Sequence, residues 1–206
     1  INACQNYEAL RKYFQELIPE CVKKEEMIAE PVIPETVVET YREINKLADM
    51  QDLHQIARKA IMEKLLGLKT FLDKSNLPYS THMQDHWLRM WEYSGAVIES
   101  AIDDRMSVLD AGGTGTVLSY FLASEGCEVY TVDLLKQKVD EATFTAKKLG
   151  FNMDHSIQSI TDLGFSDNFF DRVFCICVIE HLPRDKQSIA LKELARVLRP
   201  GGIMAL

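Results

Sequence analysis

The chain has little of what would mark a nucleic-acid binder, a membrane protein or a disulfide scaffold. Its 206 residues carry 23 Lys and Arg against 31 Asp and Glu, for a net charge of −8. The deficit is even, with 12 basic against 16 acidic side chains in residues 1–100 and 11 against 15 in residues 101–206. Neither half offers the basic face that phosphate contacts need, so nucleic acid is not expected as a partner. The five cysteines, Cys4, Cys21, Cys127, Cys175 and Cys177, form no C-x-x-C pair and no Cys/His cluster at zinc spacing. No metal site is expected, and a reducing, cytoplasmic setting fits. The apolar run at 173–179 is far shorter than the roughly 20 residues that span a bilayer, so no membrane span is expected. No signal peptide is visible, although the first residue is Ile1 rather than Met. Internal repeats and low-complexity tracts are missing as well.

What is present is an ordinary globular balance, 47% apolar and 26% charged, and two halves with different periodicity. Residues 1–100 read as helical, with apolar side chains at three- and four-residue spacing. Tyr7, Leu10, Tyr13, Phe14, Leu17 and Ile18 make one stripe, closed by Pro19. Val37, Val38, Tyr41, Ile44, Leu47 and Ala48 make a second, and Leu53, Ile56, Ala60, Ile61, Leu65, Leu68 and Leu72 a third. The turn formers Ser75-Asn76-Leu77-Pro78 end this stretch. An aromatic segment follows, with Tyr79, His82, His86, Trp87, Trp91 and Tyr93, and then a short apolar helix over 96–102.

From Met106 onward, short apolar strands alternate with amphipathic helices, the pattern of a doubly wound, mostly parallel α/β sheet. Strands are expected at 107–111, 128–132, about 155–160, 171–178 and 202–206, and helices at 117–125, 136–149 and 184–198. On the strand expected at 171–178, Cys175 and Cys177 would point to one face and pack in the core. Two regions follow: 1–100, a helical cap or substrate region, and 101–206, a ligand-binding domain.

The chemistry gathers at the carboxyl ends of the strands. Val108-Leu109-Asp110-Ala111-Gly112-Gly113-Thr114-Gly115 runs from a strand through a glycine-rich turn into a helix. Glycine there permits positive φ and close approach of a ligand to the backbone, at the place where open α/β sheets bind ligands. A bare strand-to-helix turn would read the same way. The dinucleotide fingerprint G-x-G-x-x-G is met at Gly113 and Gly115 but fails at Leu118, which disfavours a nicotinamide-dependent oxidoreductase. Asp110 beside the turn suits a ligand carrying an ammonium group better than one carrying phosphates. Asp133, about twenty residues on, ends the second strand where a carboxylate can accept hydrogen bonds from both ribose hydroxyls. It could equally cap the helix that follows.

These blocks, V-L-D-A-G-G-T-G at 108–115, Y-T-V-D at 130–133, D-L-G-F-S-D-N-F-F-D at 162–171, V-F-C-I-C-V-I-E-H-L at 173–182 and L-R-P-G-G at 198–202, occur in an order that resembles the class I S-adenosylmethionine-dependent methyltransferases. The likeness covers about residues 106–206 and is greatest to the small-molecule branch that includes ubiquinone-biosynthesis enzymes. It implies a Rossmann-like fold with S-adenosylmethionine as cofactor and a small-molecule methyl acceptor. Asp110, Gly112 and Gly113 would hold the methionine part, Asp133 the ribose, Leu134 the adenine face, and Ser159 and Ile160 the adenine amino edge. Cys177 would place its backbone near the methionine part. Two departures stand out. Ser159 occupies a position where the family often has a carboxylate, and the chain stops at Leu206, so the fold is expected to be truncated after its fifth strand. Glu180 and His181, just past the fourth strand, are the candidate catalytic residues, because an acceptor hydroxyl or amine needs a base at that side of the methyl group. A non-catalytic cofactor-binding protein is the alternative reading.

Overall fold

The computed structural model describes residues 38–78 and 87–206, with side chains assigned from His54 onward and, in the second stretch, from Leu88. The first helical stripe, at 7–18, and the aromatic positions Tyr79, His82 and His86 lie outside the described residues.

Helix α1 runs Val38–Lys74 as one element, joining the second and third stripes; α2 follows at Trp87–Ser100. The predicted turn ends α1, with Ser75 Oγ donating to Leu72 O at 2.7 Å and Asn76 at φ 54°. Then come β1 (Ser107–Ala111), α3 (Val117–Ser124), β2 (Glu128–Asp133), α4 (Lys136–Leu149), β3 (Met153–Ile157), β4 (Phe170–Phe174), a 3-10 turn (Ile179–His181), α5 (Arg184–Val197) and β5 (Leu198–Ala205). All four strand pairings are parallel, in the order β3-β2-β1-β4-β5. The sheet is therefore the doubly wound one expected, with β1 central and its carboxyl end beside those of β2 and β4.

Alternation along the strands divides the core between the two faces. Val108, Val129 and Phe174 face a cluster built from α1, α2, α3 and α4, including Leu65, Leu68, Met90, Val97, Tyr120 and Phe121. Leu109, Val132 and Val173 face the opposite cluster, with Ala190, Leu194 and Val197 of α5. Burying one such aliphatic side chain contributes about 1.5–3 kcal/mol, so the two layers supply most of the driving force for folding. The N-terminal helices share the first of these layers with the sheet. Arg172 of β4 fastens α2 further, donating to the carbonyls of Ser100 and, at 3.3 Å, Ala101.

Three strands differ from expectation at their ends. β3 stops at Ile157 because Ser159 leaves the ladder: its hydroxyl accepts from Thr161 N at 3.2 Å, and its carbonyl accepts from Asp162 N at 3.0 Å. β4 stops at Phe174, and Cys177 adopts φ 55°, a left-handed conformation no strand contains. Cys175 is buried and Cys177 is half-exposed, so the two thiols do not share one buried strand face. β5 starts four residues early, at Leu198, because Leu198 already pairs with Phe170 across an irregularity in register.

Leu68 is fully buried between the N-terminal helices and the sheet layer. Leu68→Ala is expected to cost about 2–5 kcal/mol and to lower the midpoint of one cooperative transition. Chemical denaturation followed by circular dichroism checks this; two separate transitions would mean that the helices and the sheet do not share a core.

Candidate functional site

The turn after β1 is shaped by two left-handed glycines, Gly112 at φ 80° and Gly115 at φ 78°. Gly112 N donates to Val132 O at 2.9 Å, tying the turn to β2. A Cβ on Gly112 would meet Val178 Cγ2 at 2.7 Å, so a side chain there is blocked by both conformation and space. Thr116 caps α3, its hydroxyl accepting from Ser119 N at 3.3 Å.

Asp110 lies beneath this turn, only 2% exposed. Ser119 Oγ stands 2.7 Å from Asp110 Oδ2 and 2.6 Å from Gly113 O, and Thr116 Oγ1 lies 3.3 Å from the same carboxyl oxygen. One serine proton cannot serve both short contacts, whereas a protonated carboxyl donating to Ser119 lets Ser119 donate to Gly113. Burial acts in the same direction and pushes the Asp110 carboxyl up to about 6, against the opposing hydrogen bonds from Ser119 and Thr116.

A cleft of about 360 Å³ opens at the carboxyl ends of the strands, within the size range of small-ligand sites. Gly112, Asp133, Leu134, Ser159, Ile160, Cys177 and His181 line it. Asp110 and Gly113 lie behind the wall rather than on it, and Glu180 is exposed and does not line the cleft. Lys138, Gln158, Val178 and Leu182 also line it and were not singled out in the sequence. Gln158 adjoins the named Ser159, and Lys138 stands in the first turns of α4, where a long side chain can reach back toward Asp133.

Asp133 Oδ1 accepts from Leu135 N at 2.9 Å, and Lys138 Nζ lies 3.3 Å from Oδ2. It therefore shapes the start of the α4 loop, although the residue in the cap position is Leu135. Each oxygen keeps a free lone pair, so two ligand hydroxyls can still be accepted. Leu134 is 68% exposed beside this carboxylate, an apolar surface suited to the face of a flat ring. The Ser159 hydroxyl is already engaged with Thr161. Gln158 ties down the same loop, accepting from Gly164 N at 2.7 Å.

Cys177 forms part of the opposite wall, where Arg89 of α2 contacts its sulfur and pairs with Glu92 at 2.7 Å. Burial raises the Cys177 thiol, although Arg89 pulls it the other way. A second cleft of about 470 Å³, between α2 and β5, meets the first at Cys177. His181 closes the 3-10 turn, its N–H donating to Val178 O at 3.1 Å. Among the described residues no cluster of metal-ligating side chains occurs, and no helix is long and apolar enough to cross a membrane.

A parallel sheet in this order, with a glycine turn after its central strand and an acid after the next, defines a nucleoside-binding α/β domain. The comparisons narrow the class: residues 109–206 match the methyltransferase domain family. In this stretch the chain is similar to class I S-adenosylmethionine-dependent methyltransferases, and S-adenosylmethionine is the cofactor that class implies. The chain is 33% identical over 114 residues to a ubiquinone biosynthesis O-methyltransferase of Rickettsia prowazekii (strain Madrid E), covering 54% of this chain and 44% of that protein. It is 34% identical over 116 residues to the Xanthomonas axonopodis pv. citri (strain 306) protein of the same name, covering 56% and 46%. The chain thus spans less than half the length of these two relatives. Among solved structures, a Pyrococcus horikoshii OT3 protein superposes with a TM-score of 0.53 at 27% identity, over 61% of this chain and 59% of that one. A cyclase (SpnF) superposes with a TM-score of 0.53 at 18% identity, over 73% of this chain and 58% of that one, so the fold alone does not dictate the reaction.

The residues present fit the cofactor. The cleft offers an acid with free lone pairs for ribose and exposed leucine for adenine, beside a turn whose backbone a ligand can approach. Leu118, which breaks the dinucleotide fingerprint, is buried in the core and fills the place where that fingerprint needs glycine.

The Asp110 carboxyl has a pH signature. The folded protein retains its proton up to about pH 6, whereas the unfolded chain releases it near its ordinary value of 3.8. Its stabilising contribution is complete below that ordinary value and is lost as pH rises through 6. About 1.36 kcal/mol per unit makes the loss roughly 2–3 kcal/mol between about pH 4 and pH 7. Asp110→Asn, neutral throughout, is expected to lack this decline. Denaturant titrations of both proteins across that range check it, and parallel stability curves would show that Asp110 is ionised in the fold.

Proposed function

We propose that this protein transfers a methyl group from S-adenosylmethionine to a hydroxyl oxygen of a small-molecule acceptor. The observation carrying this reading is the cleft at the strand ends of the methyltransferase domain, with Gly112, Asp133 and Leu134 on its walls. The hydroxyl acceptor rests on the relatives named as O-methyltransferases.

When bound, the cofactor supplies an electrophilic methyl group whose leaving group is a neutral thioether. Little covalent help is then required of the protein, and alignment can lower the barrier by about 7 kcal/mol or more. Asp133 accepts from the ribose hydroxyls while Leu135 N and Lys138 hold its carboxylate in place. Leu134 and Ile160 pack against the adenine, and the backbone from Gly112 to Gly113 bounds the methionine part. Asp110 supports that turn from behind, through its contacts with Ser119 and Thr116. Cys177, pinned by Arg89, completes the wall nearest α2. His181 lines the cleft and is the residue best placed to take the hydroxyl proton as the oxygen–carbon bond forms. Glu180, outside the lining, can assist by orienting the acceptor or the loop.

Titration calorimetry with S-adenosylmethionine, S-adenosylhomocysteine and NAD is expected to show binding of the first two only; preferential binding of NAD would overturn the reading. Asp133→Ala is expected to weaken S-adenosylhomocysteine binding about tenfold, the loss of roughly 1.5 kcal/mol expected for hydrogen bonds to a charged group. An unchanged Kd with a lower Tm would reduce Asp133 to a loop anchor.

A screen of metabolite extracts with labelled methyl donor identifies the acceptor. His181→Asn should then lower kcat at least tenfold, with donor Kd unchanged, and Glu180→Gln should lower it less. Equal losses of donor affinity and stability would assign this pair to anchoring the turn.

A further inference from the structure

Two buried threonines and a half-buried histidine form a line of polar side chains beside the glycine turn, and the donor-binding reading makes no use of it. Thr114, between Gly113 and Gly115, is fully buried, as is Thr131 of β2. Thr114 Oγ1 donates to Thr131 Oγ1 at 2.8 Å, and Thr131 Oγ1 lies 2.6 Å from His155 Nδ1 on β3. The register makes the second contact a direct cross-strand pair, Thr131 opposite His155.

Proton accounting gives the line a direction. Thr131 accepts from Thr114, so its own proton is free for His155, and the arrangement that uses that proton has Nδ1 unprotonated. The ring proton is left on Nε2, which is buried without a hydrogen-bond partner. Leaving such an atom unpaired is unfavourable, a cost that a valine–leucine pair at these two positions would avoid. Burial also holds His155 neutral, lowering it to about 4 although the neighbouring Asp154 acts in the other direction.

We propose that Thr131 and His155 are positioning residues for the glycine turn, their hydrogen-bonded line to Thr114 holding its backbone in the shape that receives the donor. The inference rests on the donor-binding reading above. The turn's backbone is tied to β2 only through Gly112 N and Val132 O, and the Thr114 side chain adds a second tie two residues further along. The second tie reaches β3, so the three loops at the strand ends keep one spacing.

The test compares Thr131→Val with Thr131→Ser in the full chain. Thr131→Val is expected to weaken S-adenosylhomocysteine binding about five- to tenfold, the loss that follows from one net hydrogen bond, and Thr131→Ser to stay within about twofold of wild type. A merely structural role would lower Tm and leave the Kd of the folded variant unchanged, so equal Kd values for both variants would overturn the proposal. Should Thr131→Val fail to fold, Thr114→Val against Thr114→Ser gives the same comparison. A ligand-free readout separates this proposal from the functional reading: nitrogen-15 NMR of the His155 ring is expected to show the neutral Nε2–H tautomer between about pH 5 and pH 8. An Nδ1–H tautomer, or titration near the ordinary histidine value, would overturn the line whether or not the donor binds. Absence of S-adenosylhomocysteine binding by wild type, with the expected tautomer present, would instead overturn the donor-binding reading and leave the line as a structural tie.

Discussion

A carboxyl group shut beneath a turn of glycines constrains everything around it. Asp110, next to last in β1, has almost no access to water, so its oxygens must be satisfied locally, and Ser119 and Thr116 supply the hydroxyls. Both belong to the start of α3, which fixes where that helix begins relative to the strand. Gly113 must be glycine for the same reason, because a Cβ there would lie 2.1 Å from the Asp110 carboxyl oxygen. One buried acid thus specifies the turn, the helix start and the absence of a side chain at Gly113. The cost is a desolvated carboxyl.

The same logic of local satisfaction shapes the rest of the strand-end edge. Asp133, Gln158 and Ser159 all spend hydrogen bonds on backbone N–H groups of their own loops. The Asp133 and Ser159 contacts, each to the N–H two residues on, are Asx- and ST-type turns, which stop a strand by offering its backbone other partners. Loops fixed in this way present their remaining lone pairs in set directions. A site that works mainly by alignment benefits from that rigidity more than from any reactive side chain.

The architecture was legible in the sequence because its signals are local. Apolar runs ending in glycine or acid mark the strands, and the spacing of Val139, Ala142, Ala146 and Leu149 marks the buried face of α4, whose bounds agree at both ends. Most of the cleft wall was legible through the order of the blocks. What was not legible depends on non-local geometry. The end of β4 hides in an apolar run that continues through Ile179, and only the left-handed Cys177 reveals the break. Thr131 and His155 read as ordinary half-polar strand residues, because their contact requires the register between β2 and β3. That Asp110 lies behind the wall rather than on it follows from Ser119 and Thr116 drawing its carboxyl under the turn.

The N-terminal helices bear on how firmly the seam between the two clefts is held. Leu65, Leu68 and Leu72 of α1 and Met90, Tyr93 and Val97 of α2 pack in the same layer as Tyr120 and Phe121 of α3. Helices attached through an apolar layer of this kind cannot swing away without exposing several large side chains, at about 25 cal/mol for each square ångström uncovered. The contact of Arg89 and Glu92 with Cys177 is therefore held nearly as firmly as the sheet itself. Two linked charges thus stand fixed beside a left-handed cysteine, at the seam between the two clefts, because the helix that carries them cannot move without opening the layer beneath it.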